Sequence, residues 1–124
     1  MHEPIFVVDP DEEKCHELCK LLQLHQLQST ALHSLVDLED RVLPGDRPVV
    51  ILDLDTLPVD NRFFRNMRKR NPEVKILGVS SRSFHPDLQE AMSRDIISCL
   101  SKPVEEEELL FWVKSLLENI NETA

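Results

Sequence analysis

Four residues with chemistry to offer stand in equivalent places, each just after a short apolar run. Asp9 follows PIFVV (residues 4–8), Asp53 follows VVIL (49–52), Ser80 follows VKILGV (74–79), and Lys102 lies just past IISCL (96–100). Runs this short and rich in β-branched residues are too brief for helices and read as strands buried on both faces. If such strands are parallel, their carboxyl ends meet at one edge, where open α/β sheets bind ligands. Two carboxylates there, with a main-chain carbonyl and waters, suit Mg²⁺, a hard cation that prefers oxygen. A hydroxyl and an ammonium opposite them suit the oxygens of a phosphoryl group. Asp53, in the central stretch PVVILDLDTLP (48–58), is the candidate phosphoryl acceptor. Each residue alone is commonplace: a strand-end Asp often caps a helix, and a lone Lys is usually solvated. Their joint placement is not.

The segments between the runs carry helical spacing. Asp11 is placed as an N-cap, with Glu12 and Glu13 in a first turn where the helix dipole favours acids. A helix to about residue 24 then buries Cys15, Leu18, Cys19 and Leu22 at i, i+3, i+4 and i+7. Residues 27–32 form a weaker strand. Ser34 starts a short helix bearing Leu35, Leu38 and Val42, stopped by LPGD at 43–46. Residues 60–70 read as a third helix closed by Asn71 and Pro72, and residues 86–94 as a fourth using Leu88, Ala91 and Met92. The last helix, 104–120, has a stripe of Leu109, Val113, Leu116, Leu117 and Ile120, with Leu110 and Trp112 at its margins. Strands and helices alternating with short loops predict a single α/β domain over 1–124. Its parallel sheet carries helices on both faces through right-handed crossovers.

Composition sets the outer bounds. A chain of 124 residues, 41 % hydrophobic and 30 % charged, can bury one core and stay soluble. A net charge of −9 argues against nucleic acid and against an anionic membrane surface as partners. No apolar run is long enough to span a bilayer, and the N-terminal stretch is acidic rather than signal-like. Cys15, Cys19 and Cys99 are odd in number and lack zinc-type spacing, which predicts reduced thiols in a cytoplasm.

IFVVDPDEE (5–13), PVVILDLDTLP, VKILGVSSRS (74–83) and EAMSRDIISCLSKPV (90–104) resemble the CheY-like receiver domains of two-component response regulators. The likeness covers nearly the whole chain, and Ser-Lys-Pro after the last strand is its most specific part. It implies a flavodoxin-like sheet of order 2-1-3-4-5. It implies that Asp53 is phosphorylated, that Lys102 pairs with it, and that the Ser80 hydroxyl follows the phosphoryl group. Asp9, Asp53 and the Asp55 main-chain carbonyl would hold Mg²⁺, and the bond before Pro103 would be cis. The donor would be a sensor histidine kinase or a phosphotransfer protein, and the domain would be a signalling switch rather than an enzyme. The last helix belongs to the face by which receivers dimerise or dock. Phe111 lies there opposite the buried stripe, among Glu107, Lys114 and Glu118, as a candidate contact.

The departures from the family pattern are specific. Pro10 stands where a second acid is usual, which predicts weak Mg²⁺ binding, with Asp11 as the candidate substitute. Pro58 falls one place late, and Asp60-Asn61 replaces Asp-Gly. Cys99 takes the place of the aromatic residue that reports phosphorylation, and Asp95 and Ile96 take that of Gly-Ala.

Two rival readings follow from the same residues. DLDTL (53–57) resembles the nucleophile motif of haloacid-dehalogenase-like phosphatases, but it lies far from the N-terminus with little chain after it. Alternatively, the domain is a receiver that takes no phosphate and works by protein contacts, as Pro10 and Cys99 suggest. Two local features have plainer explanations. Buried thiols account for Cys15 and Cys19 better than a metal site with His16 does. Arg62, Arg65, Arg68, Lys69 and Arg70 read as a solvated face, since no aromatic residues interleave them.

Overall fold

The apolar runs become the strands of one sheet. The computed structural model describes the backbone of residues 3–122 and the side chains of residues 3–117. β1 (Ile5–Val8) and β3 (Val49–Asp53) are buried throughout, and β4 (Lys75–Ser80) is buried from its second residue. The shorter or more exposed β2 (Thr30–Leu32) and β5 (Ile96–Ser101) form the edges. All pairings are parallel, in the order β2-β1-β3-β4-β5. The sheet is the expected one.

Alternation along the strands divides the core in two, because successive side chains point to opposite faces. Phe6, Val8, Val50 and Leu52 meet Leu38, Phe64, Met67 and Ala91 from α2 (Leu35–Arg41), α3 (Asn61–Arg70) and α4 (Gln89–Arg94). Ile5, Val7, Val49 and Ile51 meet Cys15, Leu22, Leu109 and Val113 from α1 (Glu12–Gln23) and α5 (Glu106–Glu122).

Three helices carry the side-chain caps that their sequences suggest. Asp11, Ser34 and Asp60 accept the N–H of Lys14, Asp37 and Phe63 at 3.1, 3.1 and 2.7 Å, each worth about 1 kcal/mol.

The differences from expectation have local causes. β2 is three residues rather than six, because the exit from α1 consumes the segment: Gln26 adopts φ 61° and Leu27 N–H returns to Leu22 O. The fourth helix is split, with a 3-10 turn at Pro86–Leu88 leading into α4. α5 starts at Glu106, and Leu110 is buried rather than marginal. Ile120 lies outside the described side chains. The basic face of α3 is not simply solvated. Arg68 Nε and Nη2 hold Asp95 at 2.7 and 3.0 Å, Arg65 pairs with Glu90 at 3.2 Å, and Asn61 Oδ1 accepts Ala91 N–H at 3.1 Å. These contacts latch α3 to the short α4.

Asn71 supplies a second, buried tie. Its Nδ2 donates to Leu43 O and Asp46 O at 2.9 and 3.0 Å, and its Oδ1 accepts Glu73 N–H at 2.8 Å. It thereby joins the loop before β3 to the loop before β4.

Candidate functional site

Strand register brings the candidate residues to one edge. Val8 pairs with Leu52, so the residues that follow, Asp9 and Asp53, are neighbours at the ends of β1 and β3. On the other side Asp53 pairs with Val79, and Ser80 pairs with Ser101, which places Lys102 one residue beyond. Asp53 is 5 % exposed, and both its oxygens lie on Lys102 Nζ, at 3.1 and 2.9 Å. Asp53 Oδ1 also accepts Asp55 N–H at 2.9 Å. The peptide bond between Lys102 and Pro103 is cis.

A glycine makes room for this arrangement. A Cβ at Gly78 would lie 2.7 Å from Leu54 Cδ1, so the missing side chain lets the residue after Asp53 settle over β4 without shifting. Cys99 lies beside the same spot, partly buried, and burial pushes its thiol pKa up.

The charges are unevenly matched. Burial raises the Asp9 carboxyl; the Asp11 N–H on Asp9 Oδ1, at 2.9 Å, lowers it less, and the neighbouring charge of Asp53 raises it further. Burial opposes the Lys102 ammonium, but hydrogen bonds to Asp53 and Asp55 outweigh it and push its pKa above the ordinary lysine value. Burial likewise opposes the Asp55 carboxylate, and hydrogen bonds from Ser80, Ser81 and Lys102 more than offset it, holding the group well below the usual carboxylate range.

Some contacts at the edge were missed by sequence reasoning. Asp55 enters the site through its side chain as well as its backbone: Ser80 Oγ donates to Asp55 Oδ1 at 2.6 Å. Ser81 contributes an N–H and a hydroxyl to Asp55 Oδ2 at 2.9 and 3.0 Å. His33 Nδ1 donates to Asp9 O at 2.9 Å, steadying the end of β1 from the end of β2; a carbonyl can only accept, so Nδ1 carries the hydrogen of this bond. No sequence spacing links His33 to Asp9. Asp11, for its part, spends Oδ1 on the α1 cap. Phe111 stands well away on α5, 62 % exposed, with its ring 5.5 Å from that of Trp112. Beside the site a cavity of about 540 Å³ reaches Asp53 and Lys102, with walls formed by Leu18, Leu21, Ile51 and Val104.

The fold has counterparts among known proteins. The family of response regulator receiver domains matches residues 5–114. A CheY-like receiver domain protein from Methanospirillum hungatei superposes with a TM-score of 0.83 at 13 % identity, each chain covered in full (100 %). The BeF3-activated DrrB receiver domain gives 0.75 at 25 % identity, over 95 % of this chain and 99 % of that one. The response regulator StyR gives 0.82 at 21 % identity over 99 % of this chain, which spans 63 % of StyR. A search of curated proteins finds no match. With a parallel sheet of order 2-1-3-4-5 and a family match over most of its length, the chain belongs to the response regulator receiver domains.

Proposed function

We propose that Asp53 accepts a phosphoryl group from the phosphohistidine of a sensor kinase or phosphotransfer protein, and that the domain passes this on as a change of surface. One observation supports the reading most: a buried carboxylate at the end of the central strand has both oxygens on Lys102 Nζ. An Asp53 oxygen attacks phosphorus, the P–N bond to the donor imidazole breaks, and the imidazole leaves with its electron pair and takes up a proton. Lys102 offsets charge on Asp53 and on the incoming oxygens, so the protein positions and neutralises, as phosphoryl transfer requires. The cavity beside Asp53 gives the donor a path. The product carries roughly one added negative charge near neutral pH. That DrrB's receiver is described as BeF3-activated agrees with this chemistry in a relative.

Mg²⁺ fits the donor set in a reduced form. Asp9 and Asp53 lie side by side, and a divalent cation would relieve their repulsion. Among the described residues no group of three His, Cys, Asp or Glu side chains converges to hold a metal. Pro10 therefore leaves two carboxylates and the Asp55 carbonyl, within the range Mg²⁺ accepts while keeping its waters. When bound, the ion supplies charge neutralisation for the phosphoryl oxygens. The same reading makes residues 1–124 a single cytoplasmic receiver unit that signals through partners, with α5 and Phe111 as a homodimer face. Among the described residues, no helix is long and apolar enough to cross a membrane.

Acetyl phosphate with Mg²⁺ should add one phosphoryl group to the wild type, seen by intact mass, and none to Asp53→Asn. Equal labelling of both proteins would move the acceptor elsewhere. A second reading, a receiver that works without phosphate, draws support from the Asp55 contacts with Ser80 and Ser81.

A further inference from the structure

The phosphoacceptor reading uses the main-chain carbonyl of Asp55 and leaves its side chain without a role. Yet that side chain collects the densest set of donors at the sheet edge. Ser80 Oγ gives its only O–H to Asp55 Oδ1, at 2.6 Å. Ser81 gives its N–H and its hydroxyl to Oδ2, at 2.9 and 3.0 Å, and Lys102 Nζ lies 3.1 Å from the same oxygen. Arg82 Nε stands 4.0 Å from Oδ1. These donors come from the end of β4, the loop after it and the loop after β5. An ionised carboxylate only accepts, as a phosphoryl group does, so the two compete for the same donors. With the one O–H of Ser80 already given and the Lys102 ammonium shared between Asp53 and Asp55, a newcomer must take these donors from the carboxylates that hold them.

We propose that the Asp55 carboxylate is a built-in anion that fills the phosphoryl seat of the unmodified domain. Phosphorylation of Asp53, on whose acceptor role this proposal builds, is then an exchange of one anion for another. Two consequences follow. Modification is slowed, because Asp55 must give up Ser80 and Lys102 before the phosphoryl oxygens can engage them. The loops carrying Ser80 and Lys102 are also drawn together before any phosphate arrives, so modification changes the surface less than it would in a domain with an empty seat.

Asn at position 55 keeps the size and the main-chain carbonyl but removes the charge and turns one acceptor into a donor. The first arm of the test needs no phosphorylation. ¹⁵N-labelled Asp53→Asn and the double variant Asp53→Asn/Asp55→Asn are titrated with inorganic sulfate at low ionic strength, and the Ser81 amide resonance is followed. The resonance should stay still in the single variant and shift saturably in the double variant. In the second arm, wild type and Asp55→Asn receive acetyl phosphate and Mg²⁺. The variant should be labelled about tenfold faster, equivalent to one charge-assisted hydrogen bond.

A double variant as indifferent to sulfate as the single one, with Asp55→Asn labelled no faster than wild type, overturns the proposal while leaving Asp53 as acceptor. Sulfate binding by the double variant with no labelling of wild type or Asp55→Asn keeps the seat and removes the acceptor reading instead. If the Asn variants do not fold, Asp55→Ser carries both readouts.

Discussion

Pro10 isolates the metal question at the scale of a single residue. Among the described residues, Asp9 is the carboxylate that the end of β1 sets beside Asp53, and the Asp11 carboxylate is engaged in capping α1. Pro10→Asp should tighten Mg²⁺ binding by about an order of magnitude in a calorimetric titration, because a second acid suits a hard cation. The melting temperature must be followed alongside, since removing Pro frees φ. Unchanged affinity would mean that another group already fills the place. Cys15 offers a pH test far from the metal. Burial pushes its thiol from the ordinary 9.0 up to about 11, so between these values the folded chain holds a proton that the unfolded chain has lost. The stability it contributes is complete below pH 9 and falls as pH rises from 9 to 11. Melting temperatures across that window should fall less steeply in Cys15→Ala than in wild type. Both residues were legible in the sequence, Cys15 from helical spacing and Pro10 from the family resemblance, as the residue standing where a second acid is usual. The Asp55 side chain was not, because its direction depends on Ser80 and Ser81, which arrive from a segment 25 and 26 residues away.

At the scale of elements, the buried amide of Asn71 does what adjacent secondary structure cannot. Asn71→Ala would remove the amide from Asp46 O and Glu73 N–H and take one of two donors from Leu43 O, which keeps the Asp46 N–H at 3.2 Å. Such losses should lower the unfolding free energy by about 2–3 kcal/mol in a urea titration, with the labelling of Asp53 retained. A loss below half of that would mean that water replaces the amide. The sequence identified Asn71 only as the end of α3, since its clamp closes loops that are distant along the chain. The pairing of Arg68 with Asp95 was hidden for the same reason. Strands were more legible than their edges. β1, β3 and β4 announce themselves by continuous apolar runs, whereas β2 was shortened by a helix exit built on Gln26 at positive φ, a position where glycine is the usual signal.

At the scale of the whole molecule, alternation of strand and helix with short connections was enough to give the sheet order once the family resemblance was added. What the pattern does not specify is the outer face. Phe111 is exposed on α5, so Phe111→Ser should leave stability within about 0.5 kcal/mol while weakening self-association in sedimentation velocity. A large drop in melting temperature would place the ring in the core. The proposed function stands on Asp53 as the acceptor. Its most direct test is to trap the acyl phosphate by borohydride reduction and map the product by tandem mass spectrometry. After acetyl phosphate and Mg²⁺, the peptide covering residues 48–58 should carry a reduced side chain at Asp53 and none at Asp55. Reduction at Asp9 or Asp55, or at no residue, would contradict the account.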